Sequence, residues 1–517
     1  MSTSLRTFFF SATLGVALAA GAWLAGPLPG LAEAPAAKAK AKAEGEAADK
    51  RGPAAQPADA VTRHSLGLGE SRLAYVATAA TLPLAGSKGE VTAHVFHVAY
   101  VLEGADARRP ITFVFNGGPG AASAFLHIAA MGPRVVEFRP DGAAAEEPVS
   151  LADNPDTWLP FTDLVFVDPV ATGYSRSAAG SEEGDRAFFG VDKDAEAMAD
   201  FVRLYLTRAG RMLSPMFLVG ESYGGLRAVH LADRLLAGGI GVRGAVLISP
   251  ALDFALLRAS RYALLPLALA LVLPSLAAAH LELRDGPTGP LDMLAEVEQF
   301  ARTDYLVHLA SGRGSDRRID QALARYTGLD PEIIARNRGR VSTRMFTRAY
   351  EKQKDRVLSR YDAAVSAAVP RRSGMHFDAI LDGAVSVLTP AFTQYARQEL
   401  GYHTDLPYLL LNREVSGRWD YGTSSTRQGY AGALDELQSA RTRNPALGVL
   451  IAHGYTDLVT PYAASRFLVD QFAPIEGARP IELKVYRGGH MMYLRPPSRR
   501  LLTQDARAFY GAVLAAP

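Results

Sequence analysis

Beyond about residue 60, apolar and polar positions follow two periods that take turns along the chain. Val91–Leu102 has period two, with His94, Phe96, Val98 and Tyr100 on one face, which predicts a strand. Ile111–Phe115 and residues 164–167 are short apolar runs closed by turn residues, the pattern of strands buried on both faces of a parallel sheet. Residues 192–208 switch to the helical period through Ala195, Met198, Phe201, Val202 and Tyr205. Residues 216–219 and 245–249 read as two more buried strands, with a helix over 225–236 between them. Near the far end, residues 448–452 and Ile481–Tyr486 predict strands flanking a helix over 461–472. This alternation predicts an α/β protein built on a doubly wound, mostly parallel sheet.

The rhythm breaks over 252–382, which reads as a mainly helical insertion dividing the core into 61–251 and 383–517. Residues 263–279 are uncharged and apolar but carry Pro266 and Pro274, which favours a buried helix of the insertion over contact with a membrane. Arg336, Arg338, Arg340, Arg344 and Arg348 follow, read as solvated helix faces, with an anion-attracting cleft as the alternative.

Ahead of the core, Arg6 precedes an uncharged apolar stretch from Phe8 to Leu24 and then small residues, with 30–32 or 32–34 as cleavage sites. Residues 1–32 therefore read as an export signal, the alternative being a retained single anchor. Residues 33–60, rich in Ala, Lys, Glu and Pro, have too little apolar surface to offset their ordering entropy and read as a flexible tether. Either way the body of the protein is expected outside the cytoplasm, periplasmic or extracellular, with no stable membrane insertion once the signal is cut.

Composition narrows the chemistry. The 517 residues are 48% apolar and 21% charged, an ordinary globular balance. Lys+Arg 55 against Asp+Glu 53 leaves +2, so no bulk field calls for nucleic acid. Cysteine is absent, which excludes thiol catalysis, Cys-ligated zinc, iron–sulfur clusters, disulfides and a Cys-linked lipid anchor.

Gly220-Glu221-Ser222-Tyr223-Gly224 has G-x-S-x-G spacing between a predicted strand and a predicted helix, the setting of a nucleophile elbow. A serine hydroxyl is a poor nucleophile until a base takes its proton, so a histidine oriented by a carboxylate should follow. Asp457 comes just after the strand at 448–452, and His490 sits in a glycine-lined loop just after Ile481–Tyr486. Both are at carboxyl ends of strands, the edge where α/β sites are built, and the order Ser, Asp, His suits the motif. Asn116-Gly117-Gly118-Pro119-Gly120, directly after Phe115, supplies a glycine loop, so that Gly118 and Tyr223 are the candidate oxyanion-hole N–H donors. The residues thus predict an exported serine hydrolase that needs no metal or organic cofactor.

These segments, with Asp168-Pro169-Val170-Ala171-Thr172-Gly173-Tyr174-Ser175 and Gly489-His490-Met491, resemble the serine carboxypeptidase family. The resemblance implies an α/β-hydrolase fold with a helical cap, removal of residues from free peptide C-termini, and an acidic optimum. It also implies that Asn116 and Glu221 hold the substrate's terminal carboxylate. Glu221 would donate to a carboxylate only when protonated, which gives acid activity a mechanism; a structural hydrogen bond beneath the elbow is the alternative. The chain departs from the family at Ala130, where many members carry a second glutamate. This keeps an esterase or acyltransferase on the same scaffold as the alternative function. The family's disulfides are absent too, so the cap must be held by packing.

Overall fold

The computed structural model describes residues 57–106, 108–146, 148–257, 266–312, 314–369, 377–422 and 431–515. The expected export signal and nearly all of the expected tether lie outside these residues.

A 10-stranded sheet forms the centre. Its strands are β1 (Ala60–Leu68), β2 (Ser71–Ala85), β3 (Val91–Leu102), β4 (Ile111–Phe115), β5 (Asp163–Val167), β6 (Met216–Glu221), β7 (Gly244–Ile248), β8 (Gly448–Gly454) and β9 (Ile481–Tyr486), with Arg176–Ser177 added beside β3. They lie in the order β1-β2-β3-β5-β4-β6-β7-β8-β9. The first three are antiparallel; from β5 onward every neighbour is parallel. β4, β5, β6 and β7 are buried at every position, as expected for strands covered on both faces.

Helices cover both faces. Against one pack α1 (Val191–Arg208) and α2 (Tyr223–Ala237), through Met198, Phe201, Leu226 and Val229 onto Phe113, Phe115, Val165 and Leu218. Between β7 and β8 the chain leaves the sheet through α3 (Pro266–Asp285) and returns through α4 (Ala379–Gln398). The opposite face of the sheet is covered by α4 and by α6 (Pro496–Ala515), with α5 (Tyr462–Asp470) between β8 and β9. This is the α/β-hydrolase fold.

The two hairpin strands β1 and β2 are an addition to the elements read from the pattern. β1 alternates exposed and half-buried positions at the sheet edge, and β2 interleaves Ala74, Ala77, Ala79 and Ala80, which carry little periodic signal. The insertion has its own apolar cluster around α3, where Leu273, Leu276 and Ala277 meet Tyr305, Leu323, Ile334 and Phe346. α3 is long and apolar enough to cross a membrane by length and composition, yet Ala268 through Ala279 are packed inside the protein. Pro274 is accommodated inside the helix. Arg336, Arg338, Arg344 and Arg348 are exposed and Arg340 is half-buried.

Candidate active site

The carboxyl ends of β4, β6, β8 and β9 lead into the loops that carry Asn116 and Gly118, Glu221, Ser222 and Tyr223, Asp457, and His490. β6 ends at Glu221, and the chain turns at Ser222 with φ 58° and ψ −122° before α2 begins at Tyr223. This sparsely populated conformation holds the serine out of both elements. The turn is possible because its flanks are glycine: a Cβ on Gly220 would lie 1.9 Å from the Gly224 carbonyl oxygen. The Ser222 N–H donates to the Ile248 carbonyl at 2.9 Å, and its own carbonyl accepts from Gly225 and Ala251, so the elbow's backbone is fixed on three sides.

His490 and Asp457 meet after β9 and β8. His490 Nδ1 lies 2.8 Å from Asp457 Oδ2, and both side chains are buried. The Thr460 hydroxyl donates to the same oxygen at 2.6 Å, while Asp457 Oδ1 accepts from the N–H groups of Val459 and Thr460 at 2.7 and 3.0 Å. Burial works against both charges. The His490 charge and these hydrogen bonds nevertheless hold Asp457 below its ordinary pKa, and the Asp457 carboxylate raises His490 above its own. Such a pair keeps the carboxylate ionised and stabilises an imidazolium as it forms.

The glycine loop lies against the elbow. A Cβ on Gly117 would stand 2.7 Å from Tyr223 N and 2.8 Å from Ser222 Cβ, so only a glycine lets the loop approach this closely. Gly118 follows with φ 100°, and Tyr223 opens α2, whose first N–H groups have no partner within the helix. Gly118 and Tyr223 thus lie on the two backbone segments that meet beside Ser222.

Asn116 and Glu221 are brought into direct contact: Asn116 Nδ2 donates to Glu221 Oε2, and Tyr493 donates to Glu221 Oε1 at 2.9 Å. Asn116 Oδ1 accepts from the Leu126 N–H at 3.1 Å, which fixes the amide's orientation. Burial pushes Glu221 up to about 7, against the opposing pull of His490 and the two donors. Beneath the pair, Arg227 is fully buried, donates to the Asn116 carbonyl at 2.6 Å and pairs with Asp194 at 2.7 Å. Ala130 is buried in the helical turn His127–Met131, behind the same loop.

Sequence reasoning missed one structural partner of the site. The segment from Arg360 to Ala363, inside the insertion, hydrogen-bonds both loops that carry Asp457 and His490. The Tyr361 carbonyl accepts from the His490 N–H at 2.5 Å, and the Arg360 carbonyl accepts from the Leu458 N–H at 3.1 Å. Asp362 Oδ1 accepts from the Thr456 hydroxyl at 2.6 Å, and the Ala363 N–H donates to the Thr456 carbonyl at 3.0 Å. Gly489 is the contact point, since a Cβ there would lie 1.8 Å from the Tyr361 carbonyl oxygen. Gly489→Ala is therefore expected to displace this segment or the His490 loop, costing about 1–3 kcal/mol of stability and at least tenfold in kcat. Denaturant unfolding and steady-state kinetics on one preparation check both. An unchanged kcat would mean that the close approach has no bearing on the site.

Residues 85–241 match the profile of the serine carboxypeptidase family. The family likeness is to the serine carboxypeptidases. The match includes Asn116, Gly118, Glu221, Ser222 and Tyr223 and ends before Asp457 and His490. Serine carboxypeptidase-like 51 of Arabidopsis thaliana is 34% identical over 138 residues, covering 26% of this chain and 26% of that protein. A carboxypeptidase Y homolog of Arthroderma benhamiae is 28% identical over 190 residues, covering 36% of this chain and 33% of its own. The chain thus spans a third or less of these carboxypeptidases. The crystal structure of a prohormone-processing carboxypeptidase from Saccharomyces cerevisiae covers 84% of this chain and 91% of its own, with a TM-score of 0.53 at 14% identity. That likeness is one of fold.

Proposed function

We propose that this protein is a serine-type carboxypeptidase that removes residues from free peptide C-termini through an acyl-enzyme on Ser222. His490 takes the serine proton and returns it to the leaving amine, while Asp457 orients the imidazole. The Gly118 and Tyr223 N–H groups receive the oxyanion, and Asn116 and Glu221 receive the substrate's terminal carboxylate. The observation that carries this reading is the buried Asn116–Glu221 pair, one residue from Ser222, with Glu221 pushed up to about 7. Below that pH the protonated carboxyl donates to a carboxylate; above it two negative charges face each other in a site of low polarity. His490 must be neutral to act as base, so free-acid turnover should also fall on the acid side, giving a bell. The reaction as written needs no metal. We further propose that the enzyme works outside the cytoplasm, on the strength of the export pattern in residues 1–32.

The test compares a blocked dipeptide with a free C-terminal carboxylate against its methyl ester from pH 4 to 8. Preference for the free acid is expected at and below pH 6, fading as pH rises through about 7. Glu221→Gln keeps a donor at every pH and should remove that fade. Equal or better turnover of the ester at every pH would overturn carboxylate recognition and put the esterase or acyltransferase reading first, in keeping with Ala130.

A further inference from the structure

Tyr493 belongs to no motif in the chain, yet its hydroxyl reaches the centre of the site. It lies three residues past His490 on the short turn Met492–Leu494, and its side chain is fully buried. The ring packs in the main apolar cluster with Met491, Met492 and the turn that carries Ala130. A phenol in such a place must find a partner for its O–H. It donates to Glu221 Oε1 at 2.9 Å.

Among the described residues, the side chains that donate to Glu221 are Asn116 on Oε2 and Tyr493 on Oε1. One donor on each oxygen fixes the plane of the carboxyl. Each oxygen keeps a second lone-pair direction, so a proton on either is still free to face a substrate carboxylate. Because Tyr493 lies three residues from His490 in the chain segment after β9, the orientation of Glu221 is tied to that of the catalytic base. Ala130, in the packed turn, adds no side-chain donor.

We propose that Tyr493 is a positioning and specificity-determining residue, whose phenol sets the Glu221 carboxyl against Asn116 for a C-terminal carboxylate and sets the pH at which that grip is lost. The inference rests on the carboxypeptidase reading above. Glu221 feels His490 and Asp457 from the loops after β9 and β8, Asn116 from the glycine loop, and Tyr361 from the insertion. A donated O–H favours the ionised carboxyl, so Tyr493 works against the upward push of burial. Removing the hydroxyl leaves that push less opposed, and Glu221 should stay protonated to higher pH.

The experiment is the ratio of kcat/KM for the free-acid dipeptide to kcat/KM for its methyl ester, from pH 5 to 9, in the wild type and in Tyr493→Phe. Taking the ratio within each protein cancels any loss of active enzyme. In Tyr493→Phe the alkaline fall should move up by about one pH unit, raising the ratio at pH 8 several-fold over the wild type. Tyr493→Leu, which also lacks the hydroxyl, should move it the same way and serves if the phenylalanine variant does not fold. A wild-type fall that neither variant moves would overturn the inference and leave the carboxypeptidase reading standing. A wild-type ratio flat across the whole range would overturn both.

Discussion

Ser222→Ala is expected to lower kcat by about a million-fold, with folding unaffected, because the triad works as a unit. The chemistry explains the size. Without a hydroxyl no acyl-enzyme forms, and what remains is water attacking a substrate held by the oxyanion donors. The structure explains why the fold should survive. Ser222 is half-exposed at the elbow, and its backbone N–H and carbonyl make the hydrogen bonds that fix the turn. Alanine meets the same φ of 58° with no larger side chain. His490→Ala should cost nearly as much, and the double variant little more, since either loss already disables proton transfer. Steady-state kinetics together with labelling by a fluorophosphonate checks this: the wild type should take up one equivalent, and Ser222→Ala none. Failure of the wild type to label, or residual turnover within tenfold of it, would remove Ser222 from the nucleophile's role.

The reach of sequence reasoning follows from how far apart the interacting residues lie. β4, β5, β6 and β7 are legible because strands buried on both faces are uniformly apolar and short. The placement of Ser222, Asp457 and His490 is legible because Ser222 and Asp457 follow strands buried at every position, and His490 follows the alternating edge strand β9, all at the edge where a parallel sheet presents its loops. β1 and β2 are not, since an edge hairpin half in solvent and rich in alanine has weak alternation. The segment at 360–363 is invisible for a different reason. Its bonds to Thr456 and His490 cross about a hundred residues and run largely through backbone atoms, which leave no trace in side-chain patterns. Tyr493 and Arg495 left one faint mark, a phenol and a guanidinium in the otherwise apolar run after His490.

Arg495→Met should destabilise the protein by about 3–5 kcal/mol at pH 8, and by clearly less at pH 5. Arg495 is buried between two carboxylates from the insertion. Its Nη1 donates to Glu282 of α3 at 2.5 Å, and its Nη2 and Nε donate to Asp362 at 2.6 and 3.1 Å. With no cysteine in the chain, this cluster, apolar packing and the hydrogen bond from His490 N–H to the Tyr361 carbonyl tie the insertion to the loop that carries His490. Burial already pushes Glu282 up against the pull of Arg495. Methionine fills much of the volume but removes the positive charge, so that upward push is unopposed and two carboxylates face each other away from water. A carboxyl whose folded pKa is raised destabilises the fold at every pH above its unfolded value, and the penalty fades as acid protonates it in both states. Urea unfolding of wild type and variant at pH 5 and pH 8 separates the charge from the cavity. A deficit that shrinks on acidification is the expected result, with kcat at pH 7 reduced because Asp362 no longer braces Thr456 beside Asp457. An equal deficit at both pH values would mean that the buried charges add nothing and that packing and the hydrogen bonds of 360–363 hold the insertion against the site.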